Sequence, residues 1–338
     1  MSLYKAETQR LVKRRFTRYF TLGALIVLMV VAAGVFFTNQ KATPDTLAGA
    51  QAQAEAEYQN GIVEVKRYRA ECEKAKDTPQ FETNFPGGCG QIVDPAREQY
   101  QADWYMDPTF GFRDGFGPMQ SALAGVLALV AFVIGASYVG AEWNSGGMMN
   151  LLLWRPQRLK VLGTKLAALV VGLTALTVVT SLVWTGVMWL VAVLRGNTDK
   201  VTSGVWQSFG LTGLRGLGLV LAAGVIGFGM ASLGRNTATA FGAAIGVVVV
   251  FQAGLGTVLE LADVAFVEAY LVPTWGLAWM DKTVKLENYD ACNTPTFNGV
   301  CEPDTLILSW QMAGGAMAAI LVLLVGAAMW TMRSRDIT

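Results

Sequence analysis

The stretch Leu166–Leu194, LAALVVGLTALTVVTSLVWTGVMWLVAVL, decides the fold because it contains no charged side chain. A bilayer core of ~30 Å is crossed by a helix of roughly 20 apolar residues, and this stretch is longer than that. The whole chain agrees: 53% of its 338 residues are hydrophobic, 15% are charged, and the mean hydropathy is +0.41. Soluble domains average about 25% charged residues, so the composition predicts a membrane-embedded protein.

Further apolar blocks of similar length lie on both sides of this stretch. Together they predict an all-α integral membrane protein whose six transmembrane helices form one domain over residues 1–338. The predicted spans are residues 19–38, 119–140, 166–194, 217–233, 238–259 and 306–332. In the fifth, Gly242 and Gly246 form a small-x-x-x-small pattern that predicts close helix packing, within the subunit rather than across a dimer.

Lysine and arginine are concentrated in the flanks that fall on one side of a six-helix arrangement. They occupy the N-terminal segment, the links between spans two and three and between four and five, and the C-terminal tail. The positive-inside rule therefore predicts that both termini are cytoplasmic. Among the short links, the one between spans three and four carries Arg195 and Lys200 on the opposite side, against this pattern. Residues 1–18 mix cations with Leu11 and Phe16, which predicts an interfacial helix before a retained span; a signal peptide is the alternative.

Two long loops, residues 39–118 and 260–305, follow on the opposite, extracytoplasmic side. The first is predicted to be partly helical, because Leu47–Lys76 is rich in good helix formers except where Gly61 interrupts. Aromatic residues close to the second span predict either a belt at the membrane interface, which we favour, or a lid over an exit path. These residues are Trp104, Tyr105, Phe110, Phe112 and Phe116.

All four cysteines fall in these two loops, Cys72 and Cys89 in the first and Cys292 and Cys301 in the second. An even number of cysteines on an oxidising face predicts two disulfides. Pairing within each loop is the simplest connectivity, and pairing between the loops stays open. Free buried thiols are the alternative, and the lack of C-x-x-C spacing disfavours a metal site.

Several function classes are disfavoured by what the sequence lacks. Histidine is absent, which removes the most frequent general base and a common ligand of zinc and haem. The net charge of +1 offers no case for a nucleic-acid partner. No G-x-x-x-x-G-K-[ST] loop occurs, so any nucleotide must bind a separate chain. We therefore expect no catalytic residue, cofactor or metal in this chain, and a membrane enzyme is the least favoured class.

Charged groups within the predicted spans are scarce, which disfavours a proton relay or an ion pump. Arg215, Gln252 and Gln311 are the candidates for lining a transport path, although packing between helices is the commoner use of such groups. Arg215 lies inside the outer leaflet if the fourth span begins at Phe209. It snorkels at the interface if that span begins at Leu217, and we favour the interface.

The link between the second and third spans, residues 142–165, is EWNSGGMMNLLLWRPQRLKVLGTK. An acid and two glycines precede a short amphipathic run, and Pro156 stops it. The run is too short to cross a bilayer, so it predicts a surface helix. Its apolar Leu151, Leu152 and Trp154 are then available to a partner, and a connector without a partner is the alternative.

This link resembles that of the permease subunits of ABC-2-type exporters. In that family an acid, a small-residue turn, Leu-Leu, Pro-x-Arg and a lysine that opens the next helix form the coupling helix, which sits in a groove of the ATPase subunit. The family usually has Gly-Thr where this chain has Gly146-Gly147. The resemblance implies an ATPase-coupling role for Glu142, Gly146, Leu151, Leu152, Arg155, Pro156, Arg158 and Lys165. The N-terminal segment is similar to the family's basic elbow, above all in actinobacterial members, through Arg10, Lys13, Arg14, Arg15 and Arg18.

The resemblance implies the permease subunit of an ATP-driven exporter in the plasma membrane of a bacterium. Two ABC ATPase subunits, which carry ATP and Mg²⁺, would bind the coupling segment, and a second permease copy or a paralogue would complete a path that works by alternating access. The implied substrate is hydrophobic or amphipathic: a drug, a lipid, a peptide or a natural product. The alternative is a membrane scaffold or sensor whose large first loop, residues 39–118, binds a partner.

Overall fold

The computed structural model describes residues 3–79, 81–154, 157–289 and 303–334. The chain divides into two compact units. The first unit comprises Met1–Ala32, Arg113–Trp189 and Lys200–Thr338. The second comprises Ala33–Phe112 and Leu190–Asp199.

Helices account for most of the described residues, as predicted. They are α1 (Leu3–Lys13), α2 (Arg15–Thr38), α3 (Pro44–Ala75), α4 (Phe81–Asn84), α5 (Phe112–Asn144), α6 (Gly147–Trp154), α7 (Arg158–Arg195), α8 (Ser203–Gly234), α9 (Thr237–Gly246), α10 (Leu255–Leu261), α11 (Val272–Asp281) and α12 (Trp310–Ser334). Two short strand pairs accompany them: β1 (Phe110–Gly111) runs parallel to β2 (Gly196–Asn197), and β3 (Thr283–Asn288) runs antiparallel to β4 (Asp304–Ser309).

Six helical segments in the described ranges are long and apolar enough to cross a membrane, and this confirms the predicted number of spans. Five of them are the single helices α2, α5, α7, α8 and α12. The remaining segment, Thr237–Leu261, joins α9 and α10 through a π-helical stretch at Val247–Gly254. This stretch adds a residue to each turn of the helix, a feature that is rare in proteins.

The helices extend beyond the apolar blocks that predicted them. α5 begins at Phe112, α7 at Arg158 and α8 at Ser203, because polar residues outside the lipid continue a helix readily. The sixth span begins later than predicted. Residues 306–309 belong to β4 instead, where an alternating segment with β-branched residues pairs with β3.

A small apolar core joins α11, the β3–β4 hairpin and the start of α12. Ala278, Leu308 and Ala313 form its centre, and Trp275 and Trp279 pack around them. α12 also packs along α8. The hairpin is therefore attached to the helices that follow and precede it along the chain.

The contact between α5 and α8 depends on glycines. A Cβ atom at Gly135 would overlap the backbone of Gly224, and one at Gly227 would overlap a backbone carbonyl of α5. Small residues allow two membrane helices to approach this closely. The predicted close packing at Gly242 and Gly246 is wrong within the subunit, because a Cβ atom at either position would meet nothing within 4 Å.

The second unit is built on α3, which confirms that the first long loop is partly helical. A capping box between Thr43 and Thr46 begins the helix. The predicted interruption at Gly61 is wrong, because α3 continues through it. A Cβ atom there would lie 2.7 Å from the hydroxyl of Tyr100, so the missing side chain lets that ring pack on the helix.

A disulfide between Cys72 and Cys89 connects the end of α3 to the loop that follows it. The first predicted pair is therefore confirmed. The other two cysteines, Cys292 and Cys301, lie outside the described residues, so their pairing stays a prediction.

The aromatic residues near the start of α5 do not form an exposed belt. Phe110, Phe112 and Phe116 are buried, whereas Trp104 is exposed. Phe116 packs edge-on against Phe209 of α8, with the ring centroids 4.8 Å apart. The predicted interfacial belt is therefore wrong for the three phenylalanines, which contribute to packing instead.

Candidate functional site

The N-terminal helix α1 packs against α7. Leu11 is buried, and a Cβ atom at Gly172 of α7 would lie 2.5 Å from its Cδ2 atom. The absence of a side chain at Gly172 thus makes room for the leucine. α1 ends one residue before Arg14, and α2 begins one residue after it. The elbow cations Arg10, Lys13, Arg14, Arg15 and Arg18 therefore surround the junction of these two helices.

A buried ion-pair cluster connects α1 with α5 and α7. Lys165 and Glu7 are both fully buried, and Lys165 Nζ lies 2.7 Å from Glu7 Oε2. The same Nζ lies 2.6 Å from Oε2 of Glu142, near the end of α5. The Tyr138 hydroxyl donates a hydrogen bond of 2.8 Å to Glu7 Oε2. One lysine thus holds three helices together.

The cluster is a structural joint rather than a surface for a partner. Two carboxylates compensate the ammonium of Lys165, and Arg10 adds an ion pair of 3.2 Å to Glu7 from its solvent-exposed side. Removing one member of a buried pair leaves an uncompensated charge, at a cost of about 3–5 kcal/mol. Because Lys165 is fully buried, it reaches no surface where a partner could bind. Any coupling role for Lys165 is therefore exerted through α1 and α5.

The short helix α6 exposes Leu153 and buries Met148 and Leu152. Gly146 precedes it with a φ of 71°, a conformation that favours glycine. Met148 and Leu152 are buried and Leu151 is half-buried, whereas Leu153 is 79% exposed. Leu152 is therefore not available to a partner, contrary to the prediction. Leu153 is the exposed one among the leucines of α6. The side chain of Trp154 is outside the described part of the chain, so its predicted availability to a partner stays a prediction.

A basic cavity lies at the start of α7. Arg155 and Pro156 are outside the described residues, so the predicted end of the surface helix is not tested. Arg158 opens α7, and with Lys160 and Arg333 of α12 it lines a surface cavity of about 450 Å³. Three cations around one concavity favour an acidic partner surface.

The segments predicted to share one side of the membrane converge at one end of the first unit. Asn144 Nδ2 donates a hydrogen bond of 3.1 Å to Asn236 Oδ1 in the turn between α8 and α9. The guanidinium of Arg235, in the same turn, lies 5.1 Å from the ring centroid of Trp143. We call this end, formed by α1, residues 142–154 and 157–165, the α8–α9 turn and the last turn of α12, the elbow end.

The three predicted path residues lie on different helices. Arg215 lies within α8, which begins at Ser203 and so starts earlier than the predicted fourth span. Whether Arg215 lies in the outer leaflet or at the membrane interface stays a prediction. Its Nη1 donates to a backbone carbonyl of α11 at 3.5 Å. The amide oxygen of Gln252 accepts a hydrogen bond from the backbone of Val272 at 3.1 Å, and Gln311 is exposed on α12. No hydrogen bond joins the three within the described ranges.

Residues 1–334 match a protein family described as ABC-2 family transporter protein. The chain belongs to the ABC-2 transporter family. A search of curated proteins finds no match to it. The family and the six apolar helices make this ABC-2 protein a multi-pass protein of the bacterial plasma membrane, with the role of a transport permease.

Sequence reasoning missed two members of the buried cluster in this ABC-2 protein, Glu7 and Tyr138. Glu7 is the only acidic residue among the first 18, and an isolated acid in a basic amphipathic helix requires a partner. That signal could have found it. Tyr138 carried no such signal, because a tyrosine within an apolar span is common near the membrane interface.

Proposed function

We propose that the ABC-2 protein is the permease subunit of an ATP-driven exporter that moves a hydrophobic or amphipathic substrate out of the cell. Separate ATPase subunits bind the nucleotide, because this chain contains no phosphate-binding loop. The elbow end is cytoplasmic in this proposal, since its segments carry most of the cations in the short flanks. Drugs, lipids, peptides and natural products are the substrate classes that fit.

The buried cluster of Glu7, Lys165 and Glu142 is the observation that carries this proposal. α6 lies between α5 and α7, the two helices that Lys165 connects. The same lysine connects both to α1. Because packed and ion-paired elements move together, a partner that displaces α6 would move all three helices as one body. This is the mechanical property that coupling to an ATPase requires.

The surface of α6 suits a protein partner. Leu153 exposes an apolar side chain on a short helix outside the predicted spans, and such helices dock in grooves of other proteins. The basic cavity beside Arg158 adds cations for acidic residues of the same partner. We therefore place the ATPase contact at α6 and the start of α7.

A second permease copy or a paralogue completes the transport path in this proposal. In the most apolar 18 residues of the fifth span only 6% of the residues are buried within the chain, and in those of α12 only 11%. Faces as exposed as these must contact lipid or another subunit in a membrane. The fifth span also carries the open glycines Gly242 and Gly246, which would permit close approach of a second subunit.

Leu153→Asp tests the proposed ATPase contact. Burial of a leucine at an interface contributes about 1.5–3 kcal/mol, so we expect the variant to lose roughly ten-fold or more of its affinity for the ATPase subunit. The measurement is the amount of nucleotide-binding chain that copurifies with the tagged permease, together with ATP hydrolysis by the complex.

Leu261→Asp is the matched control, because Leu261 is 81% exposed and ends the fifth span. We expect it to retain the ATPase. Equal retention by the two variants would refute the assignment of α6 as the contact.

A membrane scaffold or sensor is the second candidate. It is favoured by the second unit, in which α3 and its disulfide form a separate compact body. The copurification described above distinguishes the two functions, because a scaffold needs no nucleotide-binding chain. A complex that contains a periplasmic or surface partner and lacks an ATPase would favour the scaffold.

A further inference from the structure

An apolar groove lies beside the elbow, bounded by α1, α2, α5 and α7. Its volume is about 690 Å³, and the buried side chains of Leu11, Ile134 and Leu173 line its floor. At its rim Leu22 is 55% exposed and Val179 is 61% exposed. Because α2 and α7 are membrane-spanning helices, this rim faces the lipid. A cavity of this size and lining suits an apolar ligand such as an acyl chain.

The same groove carries a cation and an unpartnered hydroxyl. Arg18 lines it and donates from Nε to the carbonyl of Val12 at 3.3 Å, which holds the guanidinium beside the groove. Thr17 also lines it, and its buried hydroxyl oxygen has no hydrogen-bond partner among the described residues. Arg14, one turn before Arg18, does not line the groove, but it likewise keeps a buried Nη1 without a partner in the described chain. Buried donors are costly when they are left unpaired, so these groups favour a ligand that accepts hydrogen bonds.

Cations outnumber carboxylates in the first 18 residues. The only carboxylate in the first 18 residues is that of Glu7, which already pairs with Lys165 and Arg10. Lys13 and Arg15 add two exposed cations on either side of Arg14. Burial lowers the pKa of the Arg14 guanidinium, and the Glu142 carboxylate opposes that shift. The cations at this junction outnumber the carboxylates, so an anion beside it would meet a net positive charge.

We propose that this groove is a binding site for an anionic phospholipid of the surrounding bilayer. One acyl chain lies in the apolar groove, and the phosphate accepts hydrogen bonds from Arg18 and Thr17. Arginine binds phosphate strongly through charge-assisted hydrogen bonds. A zwitterionic headgroup binds less well, because its own cation would lie close to the elbow cations. The site does not depend on the direction of transport or on an ATPase.

The bound lipid would stabilise the position of α1. Leu11 both packs against Gly172 of α7 and lines the groove, so an acyl chain in the groove fills the space beside the same contact. Filling an apolar cavity adds dispersion contacts with its walls. The site would thus make the elbow sensitive to the anionic lipid content of the membrane.

The test uses phosphatidylglycerol that carries a photoreactive diazirine in one acyl chain, with phosphatidylcholine of the same chains as comparison. Each lipid is titrated into the purified full chain in detergent, and retained lipid is counted by native mass spectrometry. Illumination followed by peptide mapping locates the adduct. We expect phosphatidylglycerol to bind more tightly than phosphatidylcholine and to label the groove between Leu22 and Val171–Val179.

Two variants separate the headgroup contact from the acyl-chain contact. Arg18→Gln should weaken phosphatidylglycerol binding about five-fold, which corresponds to the ~1 kcal/mol that one cation contributes near an anionic surface. Ala175→Phe fills the groove from an exposed position and should abolish the labelling of its walls. The controls are Arg113→Gln near the start of α5 and Ala319→Phe on α12, both exposed and neither lining the groove.

The proposal is overturned by equal binding of the two lipids, by labelling confined to other surfaces, or by Ala175→Phe labelled as strongly as Ala319→Phe. Thermal unfolding of every variant is measured in parallel. If Arg18→Gln fails to fold, Ala175→Phe and the comparison of headgroups decide the question on their own.

Discussion

Lys165 is the residue that joins the most elements at the elbow end. Its ammonium contacts carboxylates from α1 and α5, and its own helix is α7. The sequence places a lysine at the start of the third predicted span, but it does not show that the side chain is buried. Its main partner, Glu7, lies 158 positions away along the chain. A partner at that distance leaves no trace in local patterning.

We expect Lys165→Met to destabilise the protein by about 3–5 kcal/mol, because the buried Glu7 carboxylate loses its buried cation and Glu142 loses the same partner. Lys165→Arg should lose less, since the positive charge is kept. The measurement is the thermal unfolding temperature of the purified protein in detergent. Lys160→Met is the control, an exposed lysine on the same helix. An unfolding temperature for Lys165→Met as high as that of Lys160→Met would show that the buried cluster contributes nothing.

At the scale of helices, the contact between α5 and α8 is set by the absence of side chains. Gly135, Gly224 and Gly227 bring two backbones together where any Cβ atom would overlap. Sequence reasoning looked for this contact in the fifth span, because two glycines there have the familiar spacing. The spacing shows that close approach is sterically permitted, but it does not show which neighbour approaches. Only the arrangement of the helices decides that.

Gly227→Leu should force α5 and α8 apart, because its side chain would overlap the backbone of α5. Overpacking of this kind costs about 1–3 kcal/mol or more. Gly242→Leu is the matched control and should change the stability of the monomeric chain little, since its Cβ atom would meet nothing within 4 Å. Thermal unfolding of both variants in detergent gives the comparison. A larger loss in Gly242→Leu would contradict the helix packing described above.

For the whole molecule, the number of membrane spans could be predicted from the sequence, but the exposed residue of the candidate site could not. The six spans were predictable because an uninterrupted run of about 20 apolar residues is typical of a transmembrane helix and of few other structures. The disulfide of Cys72 with Cys89 was predictable from the even number of cysteines in loops that the charge pattern predicts to be extracytoplasmic. The exposure of Leu153 in place of Leu152 was not predictable, because a helix of one or two turns has no resolvable apolar face until its neighbours are known.

We propose above that α6 is the contact of this permease with an ATPase subunit. Its most direct test is a photoreactive amino acid at position 153, introduced into the full chain in intact bacterial cells, with position 261 as the control. After illumination, mass spectrometry identifies the crosslinked chain. The account predicts a crosslink from 153, and none from 261, to a protein that contains a G-x-x-x-x-G-K-[ST] loop. Crosslinks from 153 to lipid or to extracytoplasmic proteins alone would contradict it.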